Sequence, residues 1–274
     1  MAASTRNRLA KQLTILLALP AILLPGAALA FLIYQGVTAW HWDAITGSGT
    51  METLWPQIAG SMLLMLGACL LSAPLALGVA LFHALRAGRR QRALMDGLLH
   101  LLQGIPPIVY GLCGLIVLVH QLHWGVSLLT GSIILALIIL PLLVLNMVQA
   151  LERVPTERTV SARSLGLPDS HIVWRVWLPD AWPAILTGLM LAMARTLSET
   201  APILFTATVF SGVVWPDSVF SPVTSLQTHI FYLAQEGVDP QAQDAAWMSA
   251  VILVGLVMGL SLLASALRNL KRTQ

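Results

Sequence analysis

An all-α fold, a polytopic bundle of six membrane-spanning helices, is what this sequence predicts, and three observations predict it. Of 274 residues, 57% are hydrophobic and 10% charged, at a mean hydropathy of +0.80, whereas a soluble domain carries roughly 25% charged residues. Six apolar windows are each long enough to cross a hydrocarbon core of roughly 30 Å, which takes about 20 helical residues. No stretch alternates apolar and polar residues over barrel-strand lengths, which argues against a β-barrel.

The windows fall at residues 13–34, 58–85, 98–119, 126–148, 183–210 and 245–267. Before the first stand Arg6, Arg8 and Lys11. This basic stretch, the apolar run and Ala28-Leu29-Ala30 imitate a signal peptide with its cleavage site. The run is longer than a signal core and continues through residues 31–34, so a retained span is expected. Arg86, Arg89, Arg90 and Arg92 separate the second and third windows. Arg153, Arg158, Arg163 and Arg175 separate the fourth and fifth, and Arg268, Lys271 and Arg272 follow the sixth. Fourteen of the 15 Lys and Arg residues thus fall on one side of six alternating spans, which the positive-inside rule makes cytoplasmic, with both termini. The net charge of +3 therefore serves topology, and no nucleic-acid partner is expected. The opposite loops hold Asp43, Glu52, Asp217, Glu236, Asp239 and Asp244 but no Lys or Arg. Trp40, Trp42, Trp55, Trp124, Trp215 and Trp247 mark the outer interface as an aromatic belt. Cys69 and Cys113 lie inside spans, as packing residues rather than a disulfide.

The third window contains Gly104-Ile105-Pro106-Pro107, where two prolines must interrupt the helix. Either this is a simple kink, or the half-helix from Pro107 aims its free N–H groups and positive dipole end into the bundle, facing an anion. After the fourth window, the loop at 151–179 reads as a helix from Pro155 and Thr156 to Leu165, then Gly166 in the left-handed position and Pro168 as a stop. Asp169 or Ser170 then caps a second short helix, whose Ile172, Val173, Val176 and Trp177 form an apolar stripe presented to the cytoplasm. That pair either lies on the membrane surface or docks a partner. In the last external loop, residues 224–235 predict a short helix with Leu226, Ile230 and Leu233 on one face, on or dipping into the outer surface.

Inside the fifth window, Arg195 and Glu199 form the one charge pair not used for topology. Arg195 lies 12 residues past Pro183, roughly 18 Å and about halfway across at 1.5 Å per residue. One helical face then carries Arg195, Ser198, Glu199, Pro202 and Thr206, and Thr200 joins the candidate path residues. A mid-membrane charge costs about 2.5–3.5 kcal/mol on the insertion scale and usually faces a bundle interior or a water-filled path. The pair is therefore either a self-neutralising structural lock or part of a conduit for a charged solute. Enzyme chemistry has little support: there is no HExxH or GxSxG motif. His120 and His123 lack the nearby carboxylates or cysteines of a metal site. A phosphate-binding loop needs Gly-Lys-Ser/Thr, but Lys11 and Lys271 follow Ala10 and Leu270. No catalytic residue, metal or cofactor is assigned, and energy for active transport would come from elsewhere.

Two segments together resemble a family. ARSLGLPDSHIVWRVWLP is similar to the cytoplasmic EAA loop by which ABC-importer permeases dock onto their ATPase. LAMARTLSETAPILFTA is similar to the matching span of phosphate importer permeases of the PstA type, GIPPIVYGL resembles that family's third-span motif, and SLQTHIFYLAQ and QDAAWMSAVIL extend the likeness. The resemblance implies a type I permease fold over 58–270, preceded by a tail, first span and external loop at 1–57. It implies ATPase coupling through Ser161, Ala162, Leu165, Gly166, Pro168, Leu178 and Pro179. It further implies a second homologous permease subunit, two ATPase subunits that bind ATP and magnesium, a periplasmic binding protein, and an inner-membrane site of action. Phosphate is the implied cargo. Permeases for sulfate, molybdate or phosphonate, and a sensor or scaffold that moves nothing, are the alternatives. Val160-Ser161-Ala162 replaces the Glu-Ala-Ala element, Ser198 stands where the family often has glycine, and the first external loop lacks the Gly-Gly stretch expected before the second span.

Overall fold

The computed structural model describes residues 2–42, 54–209, 215–235 and 239–270. Asp43, Glu52, Glu236, Gly237, Lys271 and Arg272 lie outside the described residues, as do the side chains of Arg6 and Arg8. The helices in order are α1 (Ala2–Thr38), α2 (Trp55–Leu85), α3 (Arg89–Gly104), α4 (Pro107–Gly114), α5 (Leu128–Glu152), α6 (Thr156–Ser164), α7 (Asp169–Ile172), α8 (Leu178–Leu197), α9 (Ala201–Thr206), α10 (Leu226–Gln235) and α11 (Pro240–Leu270). Two π-helical stretches, Leu115–Gln121 and Val173–Trp177, prolong α4 and join α7 to α8. Pro56, Pro107 and Pro202 each sit in the first turn of a helix, where the missing N–H forfeits no bond.

Among the described residues, five helical segments are long and apolar enough to cross a membrane: Thr14–Thr38, Trp55–Leu85, Leu128–Glu152, Asp169–Leu197 and Pro240–Arg268. The pair Arg89–Gly104 and Pro107–Gln121, bent by 86°, passes the same test of length and apolarity together and makes a sixth crossing if it is one broken span rather than a re-entrant loop. The interruption expected at Gly104–Pro107 is therefore present. The helix on its near side already begins at Arg89, however, because the four-residue spacing of Leu94, Leu98 and Leu102 carries the helical pattern back through the basic segment.

The core lies where α2, α5 and α8 meet. Leu64 and Ala68 on α2, Leu135, Ile139 and Leu143 on α5, and Ile185 and Ala192 on α8 are all buried. Between membrane helices, association depends on close packing rather than on escape from water, so small residues sit at the contacts. A side chain on Gly67 would place its Cβ 2.5 Å from Ser132 Oγ. The start of α5 is covered by the chain that follows α9: Leu128 N–H donates to Ser221 O and Leu129 N–H to Val219 O, while Ser127 Oγ accepts from Thr130 N–H. Four donors would otherwise be orphaned at a helix start; this loop takes up two of them and the Ser127 hydroxyl a third. By contrast α1 touches the bundle at one side, through Phe31 edge-on to Trp247 and through Gly36 against Val251, and leaves Ile22 and Leu24 exposed.

Two expectations need correction. The window 183–210 is not one helix: it stops at Leu197 and resumes at Ala201, because Pro202 can neither donate to the carbonyl of Ser198 nor sit beside it without a clash. The second helix of the loop at 151–179 is also not a short separate element. It runs on through Val173–Trp177 into α8, its N-cap is Pro168, and neither Asp169 nor Ser170 makes a side-chain cap bond. That continuity turns the Ile172–Val173 stripe inward, where both side chains are buried against the bundle.

Candidate functional site

The interruption between α8 and α9 gathers the candidate path residues. Arg195 stands in the last turn of α8, at the negative end of the helix dipole, and not midway along a continuous helix. Its Nη2 lies 2.6 Å from Glu199 Oε1. The two partners differ in environment: the guanidinium side chain is 53% exposed, the carboxylate 9%. One side of the guanidinium is therefore fixed by a buried anion while its remaining donors have no partner among the described residues. A planar fork held in this way is suited to bidentate contact with oxyanion oxygens.

Glu199 is buried because the chain turns there instead of continuing as a helix. Ser198 and Glu199 close the turn by donating their N–H groups to Arg195 O and Thr196 O. Thr196 and Ser198 hydroxyls bond back to Ala192 O and Ala194 O. The last carbonyl of α8, Leu197 O, accepts from Gln227 Nε2 at 2.8 Å. Gln227 is itself buried, and its Oε1 accepts from Ser61 Oγ at 3.0 Å. Ser61 Oγ in turn accepts from Leu226 N–H. The first turn of α10 thus penetrates the bundle, as its apolar face suggested, and does so deeply enough to cap a helix thirty residues away. Gly60 makes room for it: a side chain there would collide with Thr224 O.

Gln227 is the residue that the sequence reading missed. It lies in the predicted short helix, but the apolar stripe of Leu226, Ile230 and Leu233 directs attention to its neighbours. The one available signal was an uncharged amide beside a buried position in a membrane protein, where an unsatisfied polar group is costly.

Ser198 is exposed and Thr200 half-buried beside the pair, so both border the same turn. Thr206 is separate: it is fully buried, its hydroxyl is bonded to Pro202 O, and its methyl faces Gly114. It packs α9 against α4 and does not share an open face with Arg195. Of the two readings of the break at Gly104–Pro107, a half-helix aimed into the bundle finds no support within this chain, since Ile105, Pro106 and Ile108 lie on its exposed surface.

In the loop at 151–179, Gly166 adopts φ +74°, the left-handed conformation expected of it. Ser161, Leu165, Gly166, Pro168 and Pro179 are exposed, whereas Ala162 and Leu178 are buried in the fold and cannot touch a partner directly. The apolar surface offered outward is Val160, Leu165 and Trp174, at 61%, 81% and 69% exposure. The loop is fixed to the bundle by Trp177 Nε1 donating to Thr159 Oγ1 and by Arg158 paired with both oxygens of Asp180 at the base of α8. Among the described residues, no group of three or more His, Cys, Asp or Glu side chains is placed to hold a metal. Cys69 and Cys113 are free thiols, the first buried and the second exposed.

Comparison with known proteins places this geometry in context. Residues 72–272 match the family described as binding-protein-dependent transport system inner membrane component. The phosphate transport system permease protein PstA 2 of Mycobacterium bovis is 28% identical over 242 residues, covering 88% of this chain and 80% of that protein. The phosphate transport system permease protein PstA of Xylella fastidiosa is 35% identical over 169 residues, covering 61% and 57%. Among solved structures, a chain of a bacterial alginate ABC transporter in complex with a periplasmic protein superposes with a TM-score of 0.66 at 15% identity, over 95% of this chain and 93% of that one. A chain of the inward-facing MetNI methionine ABC transporter gives 0.58 at 16%, over 78% and 94%. These likenesses show the fold.

Proposed function

Because the chain belongs to the family of binding-protein-dependent transport system inner membrane components, we propose that it is a permease subunit of an ATP-driven ABC importer that carries inorganic phosphate by alternating access. The relatives named for phosphate transport support the cargo. The observation that carries the reading is the Arg195–Glu199 pair, a half-exposed guanidinium fork anchored on a buried carboxylate at a break between helices. Arg195 offers its free donors to phosphate oxygens as the anion passes, and Glu199 holds the fork while the path is empty. Glu199 also accepts a hydrogen bond from a protonated phosphate oxygen. Sulfate has no such proton at neutral pH and meets repulsion, which is discrimination by an unfavourable contact with the wrong anion.

Two ATPase subunits binding ATP and magnesium would dock on the exposed surface of α6 and α7, around Leu165 and Trp174. A second homologous permease would complete the path, and a periplasmic binding protein would deliver the anion at the opposite end. The arginine-rich end faces the cytoplasm on this reading, together with both termini.

Uptake of inorganic phosphate by cells that depend on this transporter tests the proposal. Arg195→Lys keeps the charge and loses the fork, and Glu199→Gln keeps the shape and loses the anion. Both should impair uptake, and Glu199→Gln should let sulfate compete. Undiminished uptake in both variants overturns the roles given to the pair. Purification of the assembly in which a second permease and an ATPase are absent would overturn the importer reading itself.

A further inference from the structure

A cavity of about 580 Å³ lies between the last turns of α5 and α11 and the first half of α8, within the range of roughly 300–1,000 Å³ typical of small-molecule sites. Its polar lining is Asn146, Gln149, Thr187 and three arginines, Arg153, Arg158 and Arg268, with Asp180 as the one acidic group. Arg158 and Asp180 neutralise one another in a two-pronged ion pair. Arg153 and Arg268 have no ion-pair partner among the described residues, so the cavity holds two uncompensated positive charges contributed by two helices distant in sequence. On α8, Thr187 and Leu191 line the cavity and Arg195 follows at the same four-residue interval. Arg195 therefore stands roughly 12 Å along the same helix face from Thr187, at 1.5 Å per residue.

We propose that this cavity is a second anion station, which takes a phosphate-type oxyanion on the guanidinium groups of Arg153 and Arg268, with Asn146 and Gln149 as neutral donors. It rests on the importer reading only for the direction of travel, from Arg195 toward the arginine-rich end. Phosphatidylglycerol headgroups carry the same oxyanion chemistry, and the proposal commits to the free anion. Arg158 and Asp180 form part of the wall and join α6 to α8, so displacement of the loop helix would reshape the station.

The test reads occupancy without transport. The full chain, purified with its accompanying subunits in phosphatidylcholine nanodiscs, carries Cys113→Ser and Gln149→Cys and reacts with a small anionic thiol reagent. Inorganic phosphate should slow labelling about threefold once it reaches twice its dissociation constant. Arg153→Gln with Arg268→Gln should abolish that protection while a neutral maleimide still labels at the original rate, which reports an intact cavity. The double Lys variant should keep the protection in part. Labelling indifferent to phosphate, protection that survives the double Gln change, or protection seen only after phosphatidylglycerol is added would each overturn the station. Since uptake is not measured, loss of the role given to Arg195 leaves this result standing, and the reverse also holds.

Discussion

Two spans of this protein are broken at prolines, and the breaks are repaired in opposite ways. Between α3 and α4 the repair is local: Ile105 N–H reaches Leu102 O, Val109 N–H reaches Pro106 O, and the Tyr110 hydroxyl donates to Leu102 O from eight residues away. Between α8 and α9 it is long-range, with Leu197 O served by Gln227 and Gln227 by Ser61, 166 residues away in sequence. The first break leaves its backbone on the exposed surface, and the second holds a carboxylate at 9% exposure. Proline decides where a helix stops. What the freed polar groups find there decides whether the stop becomes a bend or a site.

The difference can be broken most severely at Arg195. Arg195→Ala leaves the Glu199 carboxylate buried without its cation, at a cost below the about 3–5 kcal/mol of a fully buried pair because solvent reaches the half-exposed guanidinium. Phosphate uptake should fall to background and the amount of chain in the membrane fraction should fall several-fold on immunoblots. Adding Glu199→Gln removes the stranded charge. The double variant should regain abundance without regaining uptake, which separates the structural role of the pair from its role toward the anion. Recovery of uptake in the double variant would make the pair a structural lock.

Next in size is Gly111→Val, which strikes where the two broken spans touch. A β-carbon on Gly111 would lie 2.7 Å from Pro202 Cα, a backbone atom that cannot swing aside, and 3.3 Å from the Phe205 ring. Overpacking of this kind costs about 1–3 kcal/mol. It pushes α9 away from α4 and shifts the turn that holds Glu199. Thermal stability in detergent and uptake should both drop, and Gly78→Val, whose added β-carbon meets nothing within 4 Å, should change neither.

How much of this was legible in the sequence follows the same division between local and long-range. The apolar windows, the stop at Gly104–Pro107, the left-handed Gly166 and the single unassigned arginine are local facts, each set by a few adjacent residues, and the fold carries them. The break after Leu197 was also local in cause, since Pro202 was in view. It was lost because the surrounding apolar run looked long enough for one uninterrupted helix. The inward turn of Ile172 and Val173 was not legible, because a π-helical stretch rotates the face by an amount that a 3.6-residue period does not contain. Gln227 was least legible of all: its importance lies in what it reaches, and Ser61 and Leu197 are brought to it only by the packing of α2, α8 and α10.

Gln227→Leu sharpens the contrast at intermediate size. It keeps the volume and removes both hydrogen bonds, leaving Leu197 O and Ser61 Oγ with one partner fewer in a buried setting. An unsatisfied buried group costs about 1–3 kcal/mol. Around 1.4 kcal/mol of that misalignment is a tenfold loss of uptake. Gln235→Leu, at the exposed end of the same helix, should leave uptake unchanged. Equal behaviour of the two variants would show that α10 is only a surface helix.

The smallest effect belongs to the local break. Pro106→Ala restores a backbone donor at an exposed position, and the carbonyls around it already have their partners in Ile105, Val109 and Tyr110. No buried group is stranded by the change, so uptake should stay within about twofold and stability within about 0.5 kcal/mol, the range of surface substitutions away from special features. Pro202→Ala is the matched experiment at the other break. There the restored N–H favours an unbroken helix through Ser198–Thr200, which would compete with the turn that Gln227 caps and lift Glu199 from its buried position. Uptake should fall at least as far as in Gln227→Leu although the change is chemically the same as at Pro106. If both proline variants transport alike, long-range capping is not what makes the second break a site, and the polar strip must work from a continuous helix.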